Sequence, residues 1–354
     1  MFFFMKKIFK ILSSLLAVAA GLLILYVAAV YALVFLPSFS RNDPTEEINR
    51  KYFGTEKFYD DFLQEKTWFE MQNPARITIE SDDGLKLVAY DLPAGGGDGK
   101  SAAGTMILMH GYQSEPVREF ASLIHFYHDL GYNIILPFQR THGESEGKFI
   151  TFGVKERFDL RGWIVKANEI YGEENPVFIQ GISMGCATSV MSLGLDLPSN
   201  VRGVIADCGF TSPKEIIWKV LKNDRKVPTA KTIMKIGNLF VRSFAGFDMG
   251  EYSTLNAIEF NKERANQIPI LFFHGTADAY VPIEMTETNF SYCLGTMLNI
   301  NGSMTMEPNP QAGKYKYVRI QDSPHAIANL IDPETYHAEV KKFLSKYGKE
   351  HDAI

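Results

Sequence analysis

Uncharged, mostly apolar residues run from Ile11 to Leu36, and the only charges before them are Lys6, Lys7 and Lys10. A helix needs about 20 apolar residues to cross the hydrocarbon core of a bilayer. The run therefore predicts one membrane-crossing helix within residues 1–36. It exceeds the roughly 7–15 apolar residues of a cleavable signal. Three lysines precede the helix, whereas Arg41, Asp43, Glu46 and Glu47 follow it with a negative balance. Positive residues stay on the cytoplasmic side, so a single-pass anchor at the cell membrane with an outward domain is expected. On this reading the anchor is separable, and proteolysis beyond Leu36 should release an active fragment. Residues 37–73 mix polar positions with Tyr52, Phe58, Phe62 and Trp68, the pattern of a helical stalk that folds back onto the domain.

From residue 74 to about 350 the period changes. Ile77 and Ile79 alternate with polar neighbours, Leu85–Leu92 is a second strand, and Asp83-Gly84 between them signals a hairpin. Short apolar runs at Thr105–Met109, Asn133–Pro137, Pro176–Gln180, Val201–Asp207, Ile268–Phe273 and Tyr315–Ile320 suit strands buried on both faces. Between them the apolar residues recur at helical spacing, as in Phe120, Leu123, Ile124 and Tyr127. Helices are read at Val154–Tyr171, Met184–Leu193, near Pro282–Cys293, and after Asp332-Pro333. Such alternation predicts an α/β domain, with a mostly parallel sheet covered by helices on both faces.

Composition narrows the chemistry. The 354 residues are 46% hydrophobic and 22% charged, with a formal net charge of -5. Nucleic-acid binding, whose footprint is a strongly basic domain, is not expected. Cys186, Cys208 and Cys293 show neither paired spacing nor a metal-ligand pattern, and they read as small core residues. His125 and His128 lie three apart on one helix without a third ligand nearby. The glycines at 95–97 lack the lysine of a phosphate loop. No metal and no cofactor are expected, and the oligomeric state is not legible.

Gly181-Ile182-Ser183-Met184-Gly185 stands between a predicted strand and a predicted helix. That context turns a weak pentapeptide into a nucleophile elbow, which exposes a serine hydroxyl at a helix N-terminus. A serine needs a base to take its proton, and the base needs an orienting carboxylate. Asp278 and His325 each follow a late strand, in the order Ser, acid, His. Strand ends on one edge of a parallel sheet converge, so the three side chains can meet. Asp207, one strand earlier, is the rival acid. His274, His142 and Arg140 read as turn-building residues. Backbone N–H groups of Tyr112 and Met184 are the expected oxyanion donors.

The segments His110-Gly111-Tyr112, Gln139–Gly147, Gly181–Gly185, His274–Pro282 and Ser323-Pro324-His325 resemble the α/β-hydrolase superfamily over roughly residues 75–347. The resemblance is closest to its lipase, lysophospholipase and aminopeptidase-like branch. It departs at Phe138 and Thr141, where the branch often has aspartate and glycine. It implies a serine hydrolase of the α/β-hydrolase fold acting on a small-molecule or lipid acyl substrate, with peptide hydrolysis as the alternative. It also implies a helical cap in the long insertion at about 213–262. Its stretch 214–242 is basic, with Lys214, Lys219, Lys222, Arg225, Lys226, Lys231, Lys235 and Arg242 against Glu215 and Asp224. A solvated face or a contact with an anionic membrane would each explain this charge.

Overall fold

The computed structural model describes residues 2–36, 45–96, 98–99, 101–224, 229–300 and 303–348. Arg41, Asp43, Arg225, Lys226 and the first eight residues of the expected stalk lie outside the described residues.

Helix α1 (Phe2–Phe35) opens the chain, and its stretch Phe4–Ala32 is long and apolar enough to cross a membrane. Residues 4–22 are exposed. Val27, Tyr31 and Phe35, four apart on one stripe, are instead buried at 1%, 8% and 3% exposure. They pack against the α/β domain, so α1 is not the separable tether that its uniform apolar sequence suggests. Helices α2 (Glu46–Phe53) and α3 (Glu56–Met71) each start on a capping threonine, Thr45 and Thr55. They fold back onto the domain through Phe53, Tyr59, Phe62 and Phe69.

Strands β1 (Ala75–Glu80) and β2 (Lys86–Leu92) form an antiparallel hairpin. There follow β3 (Gly104–Met109), β4 (Tyr132–Pro137), β5 (Val177–Ile182), β6 (Val201–Asp207) and β7 (Ile270–Gly275). Then come β8 (Gly295–Ile300), β9 (Ser303–Pro308) and β10 (Tyr315–Ile320). Eight of them make one sheet in the order β1-β2-β4-β3-β5-β6-β7-β10, while β8 and β9 pair apart from it. From β4 to β10 all neighbours are parallel. Every residue of β3, β4, β5 and β7 is buried, as two covered faces require.

Helix α4 (Pro116–Asp129) covers one face; α5 (Glu156–Tyr171) and α6 (Met184–Ser192) cover the other. Phe120, Leu123, Ile124 and Tyr127 of α4 are fully buried, and each such side chain contributes about 1.5–3 kcal/mol. The insertion contains α7 (Pro213–Lys219) and α8 (Ala230–Phe240), each continued by a wider helical turn. Helix α9 (Thr254–Lys262) leaves the roof and sends Ala257 and Ile258 into the core under the sheet, beside α10 (Ile283–Leu294). Short α11 (Ala328–Ile331) and α12 (Pro333–Tyr347) close the chain, with Tyr336 and Val340 on the same face as α4.

The chain leaves β3 toward β4 on one side and β5 toward β6 on the other. The carboxyl ends of β3 and β5 therefore border the crevice where strand order reverses, the usual ligand position in such sheets.

Candidate active site

Ser183 fills the one-residue turn between β5 and α6 at φ 56° and ψ -114°. Such backbone costs a residue with a Cβ about 1–3 kcal/mol and persists only where its surroundings dictate it. Here they do. A Cβ on Gly181 would stand 2.1 Å from the Gly185 carbonyl oxygen, and one on Gly185 only 1.8 Å from that of Met109. The Ser183 N–H donates to the Asp207 carbonyl at 2.9 Å, which ties the turn to β6.

The strands β7 and β10 are neighbours, with Gly275 opposite Ile320, so the loops after them lie side by side. From these loops come Asp278 and His325. The Ser183 hydroxyl donates to His325 Nε2 at 2.9 Å, and His325 Nδ1–H donates to Asp278 Oδ2 at 2.6 Å. Asp278 also accepts the Tyr280 and Val281 N–H groups at 2.8 and 2.9 Å. Burial alone would raise its pKa. Hydrogen bonds from His274, His325 and Val281 outweigh that and hold the carboxyl far below its usual range. Asp207 takes no part in this chain. Its Oδ2 accepts the Tyr336 hydroxyl at 2.9 Å, and burial raises its pKa.

His274 is more than a turn residue. Fully buried, it sets Nε2 3.0 Å from the Val281 carbonyl and 3.2 Å from Asp278 Oδ2. Both neighbours accept, so Nε2 carries a proton and steadies the carboxylate from behind. Its sequence context, a His-Gly after an apolar strand, matches that of His110 and held no signal of this difference. Tyr280, 71% exposed with its ring 5.6 Å from that of His325, was also not singled out by the sequence.

No family model matches the chain. Among curated proteins, the uncharacterized protein YqkD of Bacillus subtilis is 24% identical over 276 residues, covering 78% of this chain and 81% of YqkD. Among solved structures, the Pyrococcus furiosus esterase Pf2001 superposes with a TM-score of 0.57 at 20% identity, covering 89% of this chain and 97% of the esterase. The α/β hydrolase GrgF of Penicillium sp. sh18 does so with a TM-score of 0.55 at 13% identity, covering 77% of this chain and 98% of GrgF. The chain has the α/β-hydrolase fold.

In an α/β-hydrolase, oxyanion donors come from the residue after the nucleophile and from the loop after β3. Met184 is the first residue of α6, and Ser183 makes no side-chain cap there. N–H groups of a first helical turn have no partner within the helix. After β3, the Gly111 N–H donates to Glu119 Oε2 at 2.7 Å. A Cβ at Gly111 would lie 3.3 Å from the Ser183 Cβ, so this loop runs against Ser183. Tyr112 follows directly. Its ring stacks on Phe152 at 5.2 Å, and its hydroxyl donates to the Val34 carbonyl of α1 at 2.9 Å.

Two buried histidines fasten the loops at this edge of the sheet. His110 Nδ1–H donates to the Gly111 carbonyl at 2.8 Å, and its Nε2 accepts the Gln139 N–H at 3.1 Å. His142 Nδ1–H donates to the Arg140 carbonyl at 3.0 Å, and its Nε2 accepts the Gln113 N–H at 3.1 Å. Arg140 forks between Asp159 and Asp83. Thr141 holds φ 74° where the family pattern has glycine. Burial lowers the pKa of both histidines, that of His142 to about 4 and that of His110 well below 6.5. The unfolded chain takes up these protons near pH 6.5, before the native state does. Stability is thus fully present above about pH 6.5 and falls as pH drops toward about 4. Each histidine contributes a slope of about 1.4 kcal/mol per pH unit in that window. Urea midpoints measured between pH 7 and pH 4.5 should show this decline, and His142→Gln should flatten it. An unchanged slope in the variant would place the acid sensitivity elsewhere.

Cys208, Asp278 and His325 present ligand-type atoms within 4.8 Å of one another. Asp278 and His325 already bond each other, and burial pushes the Cys208 thiol well up. A neutral thiol is a poor metal ligand. His125 and His128 serve packing: the first stacks on Trp68 at 4.0 Å, and the second meets its edge at 5.4 Å. Lys219, grouped with the basic cap residues in the sequence, donates to the Ala279 and Tyr280 carbonyls at 2.7 and 2.9 Å. It ties the cap to the Asp278 loop.

Proposed function

We propose that this chain is a membrane-anchored serine hydrolase that cleaves carboxylic esters through an acyl-enzyme. The observation that carries the reading is the continuous hydrogen-bonded relay from Ser183 Oγ through His325 to Asp278. Ser183 Oγ attacks the ester carbonyl while His325 Nε2 takes its proton. Asp278, ionised and held by three donors besides His325, stabilises the imidazolium without accepting its proton. The Tyr112 and Met184 N–H groups receive the oxyanion, a contribution of about 3–4 kcal/mol per donor in well-aligned sites. His325 then protonates the leaving alcohol. In the second half it deprotonates a water that releases the acid and restores Ser183. On this reading residues 1–36 anchor the chain outward from the cytoplasm, 37–73 form the stalk, and 74–350 carry the chemistry under a cap built from α7 and α8 of the insertion at about 213–262.

Competition against a fluorophosphonate probe tests the reaction class. Carboxylic esters should slow labelling of the full-length protein, and aminoacyl amides should not. The opposite ranking would make the chain a peptidase with the same machinery. Labelling that neither class slows would leave the ester reading without support.

A further inference from the structure

The end of α1 reaches the catalytic centre. Val27 packs with Leu221, Ile233 and Phe240 of the cap. One turn on, Tyr31 lies 5.9 Å from the Phe240 ring and 6.5 Å from that of Phe244. Phe35 meets Phe152 at 5.5 Å and joins an apolar cluster that includes Met184, the residue after the nucleophile. The Phe35 carbonyl accepts the Ile150 N–H at 2.9 Å. A continuous seam of packed, mostly apolar side chains therefore runs from α1 to the side of Ser183.

The register of α1 sets where that seam opens. If Lys10 marks the inner boundary, about 20 residues of span end near Val30. Contact with the cap begins at Leu23 and Val27. Bilayer and cap thus overlap by one to two turns, roughly 5–10 Å, the depth at which interfacial helices settle. The cap is suited to that position. Phe244 and Leu239 are 62% and 61% exposed, and the exposed Lys231 and Lys235 lie on the same helix as Leu239. Long basic side chains at such a boundary keep their charge at the headgroups.

We propose that the seam between α1 and the cap admits the acyl chain of a bilayer-resident ester, so that the last turns of α1 are a wall of the acyl site. The proposal rests on the serine-hydrolase reading and on α1 crossing the bilayer. It assigns the seam one occupant, a lipid acyl chain entering from the outer leaflet.

The test uses full-length protein in phosphatidylcholine–phosphatidylglycerol vesicles. It compares p-nitrophenyl acetate in water with a long-chain fluorogenic ester embedded in the same vesicles. Phe244→Glu and Leu239→Glu place charge on the exposed rim of the seam, away from the reacting groups. Turnover of the embedded ester should fall about tenfold or more, in keeping with the cost of charge in lipid, and turnover of p-nitrophenyl acetate should hold. An equal loss on both substrates, or no loss on the embedded ester, would overturn the proposal. So would a wild-type protein that cleaves only the soluble ester, with the hydrolase reading left standing. Wild-type protein inert to both esters and to a fluorophosphonate would instead remove the hydrolase reading itself. A fluorophosphonate with a long alkyl chain ending in a diazirine gives a second readout. After reaction at Ser183, illumination should crosslink it to residues 23–35 or 233–244. Crosslinks confined to α3 or α4 would refute the route.

Discussion

Ser183→Ala is expected to lower ester turnover about 10⁶-fold, the scale seen when a triad serine is removed, and to abolish fluorophosphonate labelling. The fold should survive. Alanine keeps the Cβ that the turn already accommodates at φ 56°, and the Ser183 N–H bond to Asp207 is a backbone bond. Activity on a p-nitrophenyl ester, labelling and a thermal midpoint, measured together, decide the matter. Labelling of the alanine variant at the wild-type rate would dismiss Ser183 as the nucleophile.

Asp278→Asn should rank second, with turnover lower by about 10⁴-fold. An amide that turns its N–H₂ toward His325 Nδ1 favours the tautomer whose Nε2 carries a proton, and such an imidazole cannot take one from Ser183. Asp207→Asn should cost less than about tenfold, because that side chain meets the Tyr336 hydroxyl and not His325. Measured kcat/KM for the two variants in the reverse order would move the acid one strand upstream.

Much of this architecture is readable in the chain. Buried strands declare themselves as short apolar runs, and the spacing of Ser183, Asp278 and His325 behind three of them requires only that strand ends converge. Other parts have no sequence signature. Glu119 is one more acidic residue on an amphipathic helix until the fold brings it to the Gly111 N–H. The apolar run of α1 reads the same whether lipid or protein surrounds it, so nothing separates Val27, Tyr31 and Phe35 from their neighbours. The β8–β9 hairpin, by contrast, has a legible signal in Asn301-Gly302. Beside it, Met304 and Met306 alternate with Ser303, Thr305 and Glu307.

The three cysteines are all unpaired and buried, and burial pushes their thiols well up. In the native state a thiol reagent finds neither access nor thiolate. Each cysteine can therefore serve as a gauge of local opening. Cys186 lies on the helix that follows Ser183, Cys208 directly after β6, and Cys293 in the last turn of α10. The modification rate of each, relative to the denatured chain, converts into the free energy of exposing that region. No label needs to be engineered. If the elbow and the α10 end open together, the domain is one cooperative unit; if Cys293 reacts first, the side of the sheet near the β8–β9 hairpin loosens before the catalytic crevice does.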